Sequence, residues 1–286
     1  MKIKQVDNWD LIITPNRGYF EFHFNEIWNF RDLLLIFIRR DIITQYKQTI
    51  LGPLWIVIPP ILTTLVFTIF FGNIAGISTD GIPSVLFYMA GIINWNFFST
   101  ALTSTSNTLA GNVGIFGKAY FPRIIVPLST IASSFLRYFI QFGIFLFILT
   151  YFSFFKSANF AIQYQLLWVL PMLIFIMAIM GLGFGLLFSA STAKYKDLRF
   201  LIGFGVRLMM YASTVIFPLS IIPEKYKWII LGNPMSAIIE SFRYVFFGMG
   251  VLDFKYLGYS FLIALSIFFL GYIFFNKVEQ KFIDYA

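Results

Sequence analysis

Residues 166–190 read LLWVLPMLIFIMAIMGLGFGLLFSA, twenty-five positions without a charged side chain. A helix needs roughly 20 apolar residues to cross the hydrocarbon core of a bilayer, so this stretch is a spanning helix and its solvent is lipid. Working outward, five more blocks have the same character: Leu54–Phe71, Ile82–Leu102, Ile124–Phe155, Phe200–Ile222 and Tyr256–Phe275. Transmembrane β-strands would alternate in segments of about 10 residues, and these runs are continuous. The expected fold is therefore an all-α integral membrane protein with six transmembrane helices. The third block exceeds one crossing and must tilt, kink or protrude. Pro59 and Pro60 remove two backbone donors from the first block, which predicts a kink or a late helix start there.

Composition agrees. Of 286 residues 59% are hydrophobic and only 12% charged, half the charge of a typical soluble domain; mean hydropathy is +0.80. The net charge of +8 raises the question of nucleic acid, but the cations lie mostly between apolar blocks, where they set orientation. Nucleic acid is not expected as a partner. With both termini in the cytoplasm, fourteen of the 21 Lys and Arg fall inside, and Lys156, Lys225, Lys227, Arg243 and Lys255 outside. Arg137 and Arg207 are embedded in spans. The first 25 residues lack the basic start and apolar core of a signal peptide.

This divides the chain into a cytoplasmic N-terminal segment with an amphipathic interface helix (1–53), a transmembrane domain (54–275) and a cytoplasmic tail (276–286). In the N-terminal segment Ile27, Phe30, Leu34, Ile38 and Ile42 recur at helical spacing, as in a helix lying in the membrane interface; 33–38 is apolar all round. Residues 233–251 are apolar yet carry Glu240 and Arg243, i, i+3 neighbours on a helix. They are read as a re-entrant segment before the last span, with the two charges paired.

Catalytic chemistry is missing. There is no cysteine, and one histidine, His23, so neither a metal cluster nor an acid–base pair is expected. None of the 13 carboxylates lies in the six blocks, whereas proton- or sodium-driven carriers place such groups in the membrane. GNVGIFGK (111–118) superficially resembles a phosphate-binding loop, but its spacing is wrong and Ala119 stands where Ser or Thr is required. Gly181 and Gly185 are spaced for close helix packing. The chain is expected to bind no cofactor. Arg137 and Arg207 must snorkel, pair or face a water-filled path. Aromatics cluster in the outer half of the first two spans, and Phe67, Phe71, Tyr88, Trp95 and Phe98 are read as a sugar pathway beside Asn94 and Asn96.

Three segments resemble those of ABC-type polysaccharide exporter permeases, which move O-antigen, teichoic acid and capsule-like polymers: RRDIITQYKQTILGPLW (39–55), GKAYFPRIIVPL (117–128) and NPMSAIIESFRYVFFG (233–248). The resemblance implies six spans per subunit, a homodimer in the bacterial cytoplasmic membrane, and two copies of a separate cytoplasmic ATPase that holds ATP and Mg2+. It places Gly117, Lys118, Tyr120, Phe121, Pro122 and Arg123 in the loop that touches that ATPase. Arg39, Arg40, Gln45, Tyr46 and Lys47 match the interface helix near the cytoplasmic entrance. Cations at that height attract anionic headgroups, and Arg39, Arg40 and Lys47 are read as the entry for a lipid-linked diphosphate. The expected function is ATP-driven export of a lipid-linked polysaccharide. A permease for a small lipid or drug is the nearest alternative, and a membrane-embedded transferase a more distant one.

Overall fold

The computed structural model describes residues 24–47, 49–116, 121–156, 160–192, 194–195 and 197–281. His23 lies outside them, and so do the side chains of Gln45 and Tyr46. Among the described residues there is no strand. A short helix α1 (Phe24–Asn29) leads into α2 (Arg31–Tyr46), which falls within the stretch expected to form the interface helix. Its predicted face is partly buried, against α7 (Ile125–Phe155), while Leu35 and Ile36 are exposed on the other side. The all-round apolarity of 33–38 thus places one side against α7 and leaves the other exposed.

The first span starts late. A 3-10 turn (Gly52–Ile56) precedes α3 (Ile58–Phe67), with Pro59 and Pro60 in its first turn. Backbone N–H groups lack helical partners there, so the prolines cost nothing. A π-helical turn (Thr68–Ile74) completes the crossing. Then follow α4 (Ser84–Ser106), the short α5 (Thr108–Gly111) and α6 (Val113–Phe116), α7, α8 (Val169–Thr192), α9 (Leu198–Tyr211), α10 (Glu224–Gly232), α11 (Pro234–Phe247) and α12 (Phe254–Lys281). Among the described residues five stretches are long and apolar enough to cross a membrane: Gly52–Ile74, Ser84–Ser106, Ile125–Phe155, Tyr164–Thr192 and Phe254–Glu279.

The block predicted at 200–222 differs. Only its first part is helical, and α9, 14 residues long, reaches about 21 Å at 1.5 Å per residue. The chain then unwinds at 212–218. This break is built rather than frayed, because its carbonyls have partners. Asn233 Nδ2 donates to Met209 O at 3.0 Å and Ala212 O at 3.1 Å, while its Oδ1 accepts from Met235 N and caps α11. One amide closes the end of α9 and the start of α11.

α4 is the hub. It has the lowest mean hydropathy of the five candidate spans, 1.3, yet it is the most buried. It can be polar because it faces protein: Asn94 donates to Ala90 O and accepts from Tyr138 Oη at 3.1 Å. α8 packs against it through Gly181 and Gly185, where added Cβ atoms would meet Ala101 and Thr105, and against α12 through Gly183. A Cβ on Gly183 would lie 2.6 Å from Phe268 N and 2.7 Å from its Cα. Backbone cannot step aside, so Gly183→Val should leave little monodisperse protein in detergent. Gly143→Ala, with nothing within 4 Å of the added carbon, should purify like the parent; equal yields would refute this account of α8–α12 packing.

Candidate functional site: a cationic entrance and its supports

At the end of the bundle that the cation distribution assigns to the cytoplasm, α2, the end of α4, α5 and α7 line an open cavity of about 500 Å³, within the range of small-molecule sites. Arg40 and Arg137 both line it, with Asp41, Asn107, Thr108 and Asn112. Arg40 donates from Nε and Nη2 to Asp41 Oδ1, at 3.0 and 2.7 Å, and from Nη1 to Asn112 Oδ1 at 3.3 Å. Its guanidinium lies 4.6 Å from the ring centre of Phe37. Arg137, embedded in α7, donates to Ser133 O at 3.4 Å. The Thr108 hydroxyl is buried, its residue 2% exposed, and among the described residues it has no hydrogen-bond partner. A polar group in that state costs free energy until an acceptor reaches it. Two guanidiniums and a waiting hydroxyl favour an anion rich in oxygen acceptors.

Of the three cations read as an entry, the structure brings only Arg40 to this cavity. Arg39 and Lys47 are exposed and do not line it. Arg137 joins from a distant part of the chain, and Arg207 stands on the exposed side of α9. Asp41, Thr108 and Asn112 were missed. The signals were present: a carboxylate directly after two arginines, and the polar run TSTSNT (103–108) closing an apolar span.

Gly117, Lys118 and Tyr120 of the expected ATPase-coupling loop lie outside the described residues; Phe121, Pro122 and Arg123 lie inside. Phe121 is buried, 5.5 Å from Phe37 and 5.7 Å from Phe116 between ring centres. Arg123 lies over Phe116 and donates to Glu279 O near the end of α12. Burial pulls its guanidinium below the ordinary arginine value, and Glu279 acts in the opposite sense. A chain of contacts therefore runs from the loop through Phe121 and Phe37 to Arg40.

At the other end of α4, Arg243 and Glu240 form the pair expected from sequence, 3.1 Å apart and only 1% and 2% exposed. Arg243 also donates to Thr214 O at 2.6 Å, Val215 O at 3.1 Å and Phe87 O at 3.2 Å, with its guanidinium 3.5 Å from the Phe87 ring centre. One side chain thus pins α11 to α4 and to the break after α9. α11 is buried along nearly its whole length, and its 14 residues are too short to cross a bilayer.

The aromatic pathway residues are mostly interior. Phe67, Tyr88, Trp95 and Phe98 are buried in the protomer, Phe71 is half-buried, and Phe67, Phe71 and Tyr88 form one cluster with ring centres 5.2 to 6.5 Å apart. In this conformation the four buried rings pack against neighbouring helices, and only Phe71 among the five keeps a partly open face.

The chain is 26% identical over 254 residues to the O-antigen export system permease protein RfbA of Klebsiella pneumoniae, covering 88% of this chain and 94% of that one. It is 22% identical over 225 residues to RfbA of Myxococcus xanthus, covering 78% and 83%. To the polysialic acid transport protein KpsM of Escherichia coli it is 24% identical over 246 residues, covering 84% and 91%. Residues 32–247 match the family described as ABC-2 type transporter, a match that takes in the entrance, the loop and the buried pair, and the chain belongs to that family.

Proposed function

We propose that this chain is the membrane subunit of an ATP-driven exporter that moves a lipid-linked polysaccharide across the bacterial cytoplasmic membrane. The relatives' names supply the polymer, and the observation that carries the entry step is the cavity holding Arg40, Arg137 and the unpartnered Thr108 hydroxyl. In this reading the anionic headgroup enters between α2 and the bundle, and the lipid tail stays in the membrane. Two copies of the chain would enclose the conduit, and the large apolar faces left exposed on α3, α7 and α12 are available to lipid or to a second copy. Two copies of a cytoplasmic ATPase, holding ATP and Mg2+, would act on the loop around residues 117–123. No cofactor is assigned to this chain.

The proposed topology keeps both termini in the cytoplasm. The sixth crossing is made by α9 together with the unwound segment after it, and α10 and α11 re-enter from the outer side without crossing.

Cells lacking this subunit should accumulate lipid-linked polymer inside. Complementation with Arg40→Gln or Arg137→Gln should lower export at least tenfold, since a hydrogen bond to a charged group is worth about 1.5–3 kcal/mol. Arg39→Gln and Lys47→Gln, which alter exposed cations worth about 1 kcal/mol each near anionic lipid, should lower it no more than about fivefold. Full export by both cavity variants would rule out this entrance.

A further inference from the structure

We propose that Asp41 is a resident competitor for the entrance: its carboxylate occupies Arg40 until a diphosphate displaces it, so the cavity discriminates against singly charged headgroups. This rests on the proposed entry of an anionic headgroup at the same cavity. Adjacent positions on a helix do not face each other, so contact between Arg40 and Asp41 is not a default of helix geometry. The arginine turns back until Nε and Nη2 both reach Asp41 Oδ1. That edge of a guanidinium is the one that grips a phosphate through two parallel bonds, and one carboxylate oxygen fills it.

The two members of the pair are held unequally. Arg40 has supports independent of Asp41, the Phe37 ring and Asn112 Oδ1. Among the described residues the Asp41 carboxylate has one further bond, from Ser129 Oγ to Oδ2 at 3.3 Å, and that hydroxyl is nearer to Val126 O at 2.8 Å. Both side chains are partly exposed, Arg40 31% and Asp41 21%, and it is the difference in supports that lets Asp41 swing into water while the arginine stays. A singly charged headgroup replaces one anion by another and gains little. A diphosphate brings additional charge and oxygens, enough to engage Arg40, Arg137 and the Thr108 hydroxyl together. The competitor lowers the affinity of every headgroup alike, and only one with surplus contacts to the cations still binds.

The test uses the permease with its partner ATPase in lipid nanodiscs, titrated with a polyprenyl diphosphate, a polyprenyl monophosphate and inorganic pyrophosphate. Asp41→Asn keeps the shape and removes the charge; Asp41→Ser removes most of the acceptor capacity as well. Both should tighten monophosphate and diphosphate binding by a similar factor, about tenfold, so that a monophosphate too weak for the parent binds measurably to the variants. In an Arg40→Gln background, Asp41→Asn should change nothing, because the competed group is gone. A shift with pyrophosphate too assigns the competition to the diphosphate alone, and a shift with the lipids only assigns it to the membrane-borne headgroup. If Asp41→Asn and Asp41→Ser leave both affinities unchanged or weaken them while Arg40→Gln still impairs binding, the competitor role is wrong and the entrance stands. If Arg40→Gln and Arg137→Gln bind like the parent, entrance and competitor both fall.

Discussion

Replacing Arg243 by alanine is expected to remove most of the folded protein from the membrane and to lower the melting temperature of what remains by roughly 10 °C. Breaking a buried ion pair from one side costs about 3–5 kcal/mol, because the other charge is left uncompensated. Here the loss is wider, since the carbonyls of Thr214, Val215 and Phe87 lose their donor along with Glu240. Lysine should not rescue. Its ammonium is a point charge on a flexible stem and cannot reproduce a planar fork reaching two elements at once. Glu240→Gln should be milder, because three backbone carbonyls still stabilise the guanidinium. The double variant Glu240→Gln, Arg243→Met is the decisive comparison. Were the pair mainly a matched couple of charges, removing both would restore stability fully; as a clamp on unwound backbone, the double should regain only the part due to the stranded Glu240 charge and still melt well below the parent. Size-exclusion profiles and thermal melts in detergent read this directly.

The same side chain explains what the sequence could and could not disclose. The i, i+3 spacing of Glu240 and Arg243 announces a pair, and its apolar surroundings announce burial. Nothing in the spacing says that the arginine's other bonds go to residues 214 and 215, because backbone carbonyls carry no residue signature. For that reason 200–222 reads as one span: hydropathy sums side chains and does not register a helix whose carbonyls have been taken by Asn233 and Arg243. The continuous blocks read well, since burial in lipid demands apolarity at every position. The entrance read in part. Arg40 stood out by charge, whereas pairing it with Arg137 required knowing that α2 lies along α7, a contact between residues nearly a hundred positions apart. The aromatic residues were the least informative, because phenylalanine looks alike whether it fills a core or lines a path.

Truncating Phe121 or Phe37 to alanine should uncouple the machine, lowering export at least about tenfold while the partner ATPase still hydrolyses ATP. Both rings are buried and in contact, and a large-to-small change of this kind costs about 3–5 kcal/mol where the site cannot collapse. The consequence is specific because of what each ring touches. Phe121 sits where the proposed coupling loop meets α2, and Phe37 lies under the guanidinium of Arg40. A push on the loop would therefore reach the entrance through two side chains in contact, their rings tilted, and α12 would move with it through Arg123 and Glu279. Phe121→Leu keeps much of the volume but not the ring contact and should fall between alanine and the parent. Phe154→Ala, on an exposed ring, controls for loss of aromatic surface and should export normally. Hydrolysis without transport in the two buried variants, with headgroup binding preserved in Phe121→Ala, separates a broken linkage from a broken site. Normal export in both would mean that force enters the membrane domain by another route.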